Sequence, residues 1–258
     1  MPSPTVMRVI LSGGALGVFT PPDQSNLVGW WDANAITNLS NNDPVTQWND
    51  KSGFDNHVTQ GTGSAQPTYK TNQQYGLPAV SFDGGDHLEL DSIASYFTGE
   101  DKTGTGIVVI KDSTGGSTDV YPFTLGRAGT NTPVFFFAAY KHTAPEGLYL
   151  FRRDDGSTGY TTNIAQAFNG VAHINSSVYR ATTASGYFNG AVLHDNVAQD
   201  FGTITLDSFA LGAWKANGVI SHMTGLICEV LLWRTALSDV DRILTEQYLA
   251  EKWGITRA

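Results

Sequence analysis

The segment that most constrains the fold is the closing one, residues 225–255, which reads GLICEVLLWRTALSDVDRILTEQYLAEKWGI. It begins with a near-continuous apolar run, which is typical of a strand covered on both faces. Ser238 followed three residues later by Asp241 indicates a helix N-terminus, and Gly254 stands where a helix is expected to stop. Between them lies an apolar stripe at helical spacing, formed by Val240, Ile243, Leu244, Tyr248 and Leu249. These signals predict one amphipathic helix over about residues 238–252.

Almost everything before this segment has the pattern of short strands. Turn signals recur about every ten residues, which is the spacing of a β-sandwich. Residues 77–90 alternate apolar and polar side chains around an Asp-Gly-Gly-Asp turn and predict a hairpin. Asn189-Gly190 predicts a second hairpin with a two-residue turn. The expected fold class is all-β, a two-sheet antiparallel jelly-roll sandwich with one C-terminal α-helix.

Charge and cysteine content exclude several functions. The 258 residues carry a formal net charge of −9 and no Lys/Arg-rich run, which argues against nucleic acid as a partner. Cys228 is the one cysteine, so an intrachain disulfide is impossible, and its apolar surroundings indicate a buried thiol. No stretch reaches the roughly 20 apolar residues of a membrane span, so membrane insertion is not expected.

The N-terminal segment differs from the rest of the chain. Residues 1–23 are rich in proline and apolar side chains but lack the length to form a core, whereas residues 24–258 read as one domain. A signal peptide is a weaker interpretation, because no convincing cleavage pattern follows the apolar stretch. We therefore expect an extended arm for anchoring and assembly, with Ile10, Leu11 and Phe19 buried against a partner chain.

Five segments together resemble a known group of proteins. They read LVGWWDA, WNDKSGFDNH, PAVSFDGGDHLEL, GYFNGAVL and the closing segment already described. In this order they are similar to the laminin-G-like branch of the concanavalin A-like lectin/glucanase superfamily, over about residues 27–255. The resemblance implies two curved antiparallel sheets in a jelly roll. It also implies a choice among sugar-binding modules, adhesion domains, glycan hydrolases and surface proteins of tailed bacteriophages.

Hydrolysis by this superfamily would need two carboxylates flanking the glycosidic bond. The nearest match to the glucanase strand is HLELDSIA, where Glu89 and Asp91 alternate correctly. Ser92 and the two apolar residues after it stand where a further glutamate is needed. We therefore expect no catalytic residues, and the protein is predicted not to be an enzyme.

Calcium is the one cofactor that the sequence suggests. The loop NDKSGFDNH supplies Asp50, Ser52 and Asp55, and calcium takes oxygen ligands from such loops. The same residue types also form tight turns by bonding their own backbone, so both interpretations stay open. The six histidines are scattered without close spacing, and zinc is not expected.

Sugar binding needs an exposed aromatic ring beside groups that bond hydroxyls. Three loops offer this combination, and the candidates are Tyr140, His142, Arg152, Asp154, Tyr160, Trp214, Lys215 and Asn217. Loop packing or a subunit contact is the alternative role of these residues. The remaining tryptophans lie inside strand or helix patterns and are assigned to the core; they are Trp30, Trp31, Trp48, Trp233 and Trp253.

The function expected from these observations is that of a non-enzymatic bacteriophage virion protein. It would serve as a capsid decoration, fibre or tail appendage, located on the extracellular particle. Its partners would be other virion proteins, copies of itself and surface glycans. The alternative is a secreted glycan hydrolase, or a carbohydrate-binding module of the same superfamily.

Overall fold

Strands dominate the computed structural model, which describes residues 8–10, 16–112, 120–130, 134–141, 147–156, 159–165, 170–199, 202–216 and 218–258. In chain order the strands are β1 (Arg8–Ile10), β2 (Leu16–Val18), β3 (Leu27–Asp32), β4 (Gln47–Trp48), β5 (Val58–Thr59), β6 (Thr68–Gln74), β7 (Leu77–Asp83), β8 (Leu88–Glu89), β9 (Gly104–Asp112), β10 (Phe123–Gly126), β11 (Val134–Lys141), β12 (Gly147–Arg153), β13 (Gly159–Ala165), β14 (His173–Tyr179), β15 (Thr183–Phe188), β16 (Ala191–Ala198), β17 (Ser208–Leu211), β18 (Ala213–Ala216), β19 (Gly218–His222) and β20 (Thr224–Trp233). One α-helix, α1 (Asp239–Trp253), follows them.

Two large antiparallel sheets form the sandwich. The front sheet has the order β13-β12-β11-β10-β17-β8-β5-β4. The back sheet has the order β16-β15-β14-β9-β20-β7-β6, with β3 also paired to β20. The predicted class, a two-sheet antiparallel sandwich with one C-terminal helix, is confirmed.

Strand β20 is covered on both faces, as its apolar run predicts. Ile227, Val230 and Leu232 belong to the core between the two sheets. Cys228 and Trp233 belong to a second core beneath α1. The helix therefore packs on the outer side of the back sheet, and burial raises the pKa of the Cys228 thiol well above its usual range.

Helix α1 begins and ends at the residues that the sequence indicates. The Ser238 hydroxyl accepts the backbone N–H of Asp241 at 3.1 Å and donates to its carboxylate at 2.8 Å. Gly254 adopts φ 64°, a left-handed conformation that costs glycine little, and its N–H donates to the carbonyl of Ala250. Trp253 is fully buried, as predicted.

The buried face of α1 differs from the predicted apolar stripe. Val240 is exposed, whereas Arg242 and Glu246 are buried. Arg242 Nη1 lies 2.8 Å from Glu246 Oε1, which also accepts the hydroxyl of Ser176 at 2.7 Å. Because these two side chains neutralise each other and bond the back sheet, the helix buries polar groups that the apolar pattern could not reveal.

A second ionic network lies beneath the C-terminal half of α1. Lys252 Nζ lies 2.7 Å from Glu229 Oε2 and 2.8 Å from Asp32 Oδ1. Glu229 also accepts the indole N–H groups of Trp30 at 2.7 Å and Trp253 at 2.8 Å. Burial alone would lower the pKa of Lys252, but the two carboxylates outweigh it and raise that pKa. This buried triad of Lys252, Glu229 and Asp32 ties the helix to β20 and β3.

The predicted hairpin over residues 77–90 is wrong. Strand β7 belongs to the back sheet and β8 to the front sheet, so this segment crosses between sheets. In the connection, the Asp86 carboxylate accepts the N–H of Asp83 at 3.0 Å, and Gly84 adopts φ 98°. The side chains of β7 and β8 point into one core from opposite sides, and their alternation therefore looks the same as that of paired strands.

The arm is seen in part. Strands β1 and β2 pair as a short antiparallel hairpin rather than an extended arm. The ring of Phe19 stacks on Tyr248 of α1 at 3.8 Å, so this side chain packs in part on its own chain, and its burial against a partner chain stays a prediction. The side chain of Ile10 and all of Leu11 lie outside the described residues. Within those described residues, no helix is both long and apolar enough to cross a membrane.

Candidate ligand site on the outer face of the front sheet

Strands β18 and β19 form a hairpin that lies on the outer face of the front sheet. The Thr124 hydroxyl on β10 donates to the carbonyl of Ala213 at 2.9 Å, and the Ser208 hydroxyl on β17 donates to that of Lys215 at 3.1 Å. Gly126 makes the close approach possible, because a Cβ there would lie 2.3 Å from the Lys215 carbonyl oxygen. The hairpin therefore holds Trp214 and Lys215 above the middle of the sheet.

A lysine and two carboxylates meet at this hairpin. Lys215 Nζ lies 2.7 Å from Glu89 Oε2 and 2.6 Å from Asp91 Oδ1. Leu88 enters the core, so Glu89 beside it on β8 points outward, and Asp91 begins the short 3-10 helix that follows. Partial burial works to lower the pKa of Lys215, but its bonds to Asp91 and Glu89 raise it overall.

Two histidines complete the polar part of the site. The rings of His87 and His222 lie 5.6 Å apart, and His87 Nε2 is 3.9 Å from Glu89 Oε2. Gln60 Nε2 lies 3.0 Å from His87 Nε2. Burial lowers the pKa of both His87 and His222, so both rings are neutral at pH 7. We call Glu89, Asp91, Lys215, His87 and His222 the outer-face cluster.

An aromatic pair borders the outer-face cluster. The rings of Tyr121 and Trp214 lie 5.6 Å apart at an angle of 48°, and both side chains are half-buried. Trp214 and Lys215 are neighbours on β18, and the pairing with β19 shifts register between them, which interrupts the usual alternation of side chains. We therefore assign the ring pair and the charged groups to one candidate site. Aromatic rings beside carboxylates are the combination that sugar rings need for stacking and hydroxyl bonding.

The structure brings together some predicted sugar-binding residues and separates others. Trp214 and Lys215 lie at the outer-face cluster, as just described. Tyr140 and Tyr160 lie on β11 and β13 of the same front sheet, but their side chains are outside the described part of the structure. His142 and Asn217 also fall outside it.

Arg152 and Asp154 are not available to a ligand, and this part of the prediction is wrong. Arg152 shares the inward face of β12 with Leu150 and is fully buried, with Nη2 donating to the carbonyls of Ala181 at 3.1 Å and Gln199 at 3.0 Å. Asp154 is also buried and accepts the N–H of Gly202 at 3.2 Å. Side chains alternate between the two faces of β12, and this alternation places Arg152 in the core. The polar run RRDD suggested an exposed loop instead.

The loop proposed to hold calcium is organised by Asp50. Its carboxylate accepts the N–H of Trp30 at 2.8 Å, that of Asn56 at 3.0 Å, and both the N–H and the hydroxyl of Ser52. Asp55 is exposed and adopts φ 57°. These bonds favour the turn-forming interpretation. Calcium binding by Asp50, Ser52 and Asp55 stays a prediction, which a calcium titration of the melting temperature checks.

Sequence reasoning found the members of the site separately but not the site itself. Glu89 and Asp91 were considered as a failed catalytic strand, and Lys215 as a loop residue more than a hundred positions later. His87, His222 and Tyr121 were missed as site residues. No local pattern joins them, because β8 and the hairpin β18–β19 are far apart in sequence and meet only in the folded sandwich.

Comparison with known proteins finds solved structures of similar fold. No family model and no curated protein matches the chain. Its structure is similar to the carbohydrate-binding module CBM40 of the Ruminococcus gnavus IT-sialidase, solved bound to α2,3-sialyllactose, with TM-score 0.52, 20% identity, and coverage of 65% of this chain and 95% of that one.

Two further structures resemble more of the chain. Domain 4 of the arabinanase AbnA from Geobacillus stearothermophilus, in complex with arabinotriose, has TM-score 0.56 and 15% identity over 88% of this chain and 98% of that one. The Trypanosoma rangeli sialidase has TM-score 0.62 and 10% identity over 98% of this chain, but the match spans 37% of that enzyme. At these identities the likeness shows the fold, which is a lectin-like β-sandwich.

Proposed function

We propose that this chain is a non-catalytic glycan-binding module whose site is the outer-face cluster with Tyr121 and Trp214. The observation that carries the proposal is the half-buried ring pair beside carboxylates that retain acceptor capacity. Among the residues that the structure describes, none donates a hydrogen bond to Glu89 Oε1 or Asp91 Oδ2. Carboxylate oxygens in this condition accept hydrogen bonds from sugar hydroxyls.

The structural neighbours support the same class of ligand. Several of them were solved in complex with sialyllactose, N-acetylneuraminic acid or arabinotriose. Fold alone does not give function, and the proposal therefore rests on the site. The neighbours add that sandwiches of this architecture recur as sugar-binding parts of larger proteins.

A hydrolase is the second candidate, because Glu89 and Asp91 are close together. Their oxygens both lie within 2.7 Å of Lys215 Nζ and so stand no more than about 5.4 Å apart, near the spacing of a retaining carboxylate pair. Hydrolysis also needs one of the two to be a proton donor. Lys215 Nζ contacts an oxygen of each and so stands between the two carboxylates, where the glycosidic oxygen would have to receive that proton. Purified protein should release no reducing sugar from a polysaccharide panel, and turnover that Glu89→Gln abolishes would overturn the proposal.

Glycan binding is tested by removing the aromatic surface. Trp214→Ala should weaken binding to array-identified glycans by about fivefold, since one stacked ring contributes on the order of 1 kcal/mol, while circular dichroism still shows a folded sandwich. Tyr75→Ala is the matched control, because Tyr75 is an exposed ring in the turn between β6 and β7 of the back sheet. Equal binding by Trp214→Ala and wild type would move the ligand site away from this face.

Two settings suit such a module, and we propose a bacteriophage particle as the first. The support is the superfamily resemblance together with the N-terminal arm, which would dock the domain to another virion protein or a second copy. The second setting is a binding module of a secreted carbohydrate-active protein, which the CBM40 and AbnA neighbours favour.

Deletion of residues 1–18, which retains Phe19, distinguishes the two settings. In a particle protein, the truncated chain should stay folded and lose incorporation into virions. In a secreted module, the deletion should leave glycan binding unchanged, and mass spectrometry of purified virions from the source should not find the chain.

A further inference from the structure

The charged groups of the outer-face cluster do not cancel. Glu89 and Asp91 contribute two negative charges and Lys215 one positive charge, while His87 and His222 are neutral at pH 7. The outer-face cluster therefore carries about one net negative charge. The whole chain adds to this, with a formal net charge of −9.

A third acidic group, Asp83, adds to the negative charge near the cluster. Asp83 lies near enough to His222 to act electrostatically on it. Asp83 itself is exposed at the end of β7. A ligand that approaches the outer-face cluster from this side therefore meets a further negative charge.

The one cation of the cluster is already engaged. Lys215 is 16% exposed and spends two of its three N–H donors on Glu89 and Asp91. An acidic sugar needs an uncommitted cation to offset the cost of desolvating its own carboxylate. A neutral sugar instead brings hydroxyl donors, which the free oxygens of Glu89 and Asp91 accept.

We propose that this site selects neutral glycans and disfavours acidic ones, including the sialylated glycans that several structural neighbours were solved with. The inference rests on the proposed function and names its ligand class. Two like charges about 4 Å apart repel by about 1 kcal/mol in water and by more near a protein surface. A neutral oligosaccharide should therefore bind at least fivefold more tightly than its sialylated counterpart at low salt.

The experiment is a glycan array in which each neutral oligosaccharide is printed beside its own sialylated form. Wild-type protein and the variants Asp91→Asn and Glu251→Gln are applied in 20 mM and 500 mM NaCl. Asp91→Asn removes the net negative charge of the cluster, and the affinity ratio of neutral to sialylated glycan should fall toward one. Glu251→Gln is the control, because it removes one exposed charge from α1 on the opposite side of the sandwich.

The possible outcomes distinguish the preference for neutral glycans from glycan binding itself. A neutral preference that shrinks at 500 mM NaCl and in Asp91→Asn, but not in Glu251→Gln, supports the inference, since salt screens repulsion between exposed charges. Sialylated forms that bind wild type equally or better overturn it and leave the glycan-binding function standing. Absence of binding to every printed glycan overturns both.

Discussion

The protein contains the same ionic arrangement twice, in two different surroundings. Beneath α1, Lys252 lies between Glu229 and Asp32, and the three side chains are 10%, 0% and 4% exposed. On the front sheet, Lys215 lies between Glu89 and Asp91, and the last two are 41% and 53% exposed. The ammonium-to-carboxylate distances are nearly equal, at 2.6–2.8 Å.

The two clusters differ in burial rather than in chemistry, and burial decides whether their carboxylate oxygens remain available. In the buried triad every carboxylate oxygen is engaged by Lys252, Lys51, Tyr248 or the two indoles. Nothing there remains for a ligand, and loss of one charge would leave others unpaired in a medium of low dielectric constant. In the exposed cluster water can replace a lost partner, so the same groups are free to serve binding.

The largest expected effect follows from replacing each lysine by methionine. Lys252→Met should destabilise the fold by about 3–5 kcal/mol, because it leaves buried carboxylates without their cation. Lys215→Met should cost less than about 1 kcal/mol, because its carboxylates are open to solvent. Urea denaturation of both variants measures this contrast. Similar losses of unfolding free energy in the two variants would show that burial does not distinguish the two clusters.

Stability at acid pH tests the effect of burial at a second place, His173 in the back sheet. Burial lowers the pKa of His173 in the back sheet to about 4, against an ordinary value near 6.5. The unfolded chain therefore binds the proton first, and the contribution of neutral His173 to stability, complete above pH 6.5, is lost as the pH falls toward 4. This loss reaches about 3 kcal/mol.

The control for this effect is His87 of the outer-face cluster. Denaturation from pH 7 to 4 should show a flatter acid limb in His173→Gln than in wild type. His87→Gln should change the limb less, because His87 is partly open to solvent. An unchanged limb in His173→Gln would mean that another group governs acid unfolding.

A smaller effect on stability than that of Lys252→Met is expected at Gly126, where the hairpin β18–β19 rests on β10. Gly126→Ala places a Cβ against the Lys215 carbonyl and should cost about 1–3 kcal/mol as β18 shifts outward. Glycan affinity should fall with it, since Trp214 and Lys215 move. Gly61→Ala is the matched control, because a Cβ at Gly61 has no atom within 4 Å. Retained affinity in Gly126→Ala would separate the hairpin from the site.

Local sequence signals predicted individual helices, strands and turns better than they predicted which strands pair. The helix, its Ser238 cap and its Gly254 stop were all readable, because capping depends on neighbours in sequence. The turn at Asn189-Gly190 was readable for the same reason, with φ 48° and 85° in the structure. The crossing from β7 to β8 was not, because alternation reports which side chains are buried and not which strand lies alongside.

The ligand site shows the same limit more strongly. Trp214 and Lys215 were identified from composition, but Glu89 and Asp91, the partners of Lys215, come from a different part of the chain. Arg152 was misplaced because a charged residue usually lies at the surface, whereas here backbone carbonyls surround it in the core. Both cases depend on contacts between residues that are far apart in sequence, and a single sequence does not show such contacts.

The position of β20 has a consequence for how the chain is made. This strand lies at the centre of the back sheet and pairs with β9, β7 and β3, yet in chain order it follows all the other described strands of the sandwich. Until residue 233 has emerged, β9 and β7 have no neighbour between them, and the sandwich cannot close. Folding of the sandwich therefore waits for the synthesis of β20, and ribosome-bound chains that stop before Thr224 should be digested by protease where chains that include β20 and α1 resist.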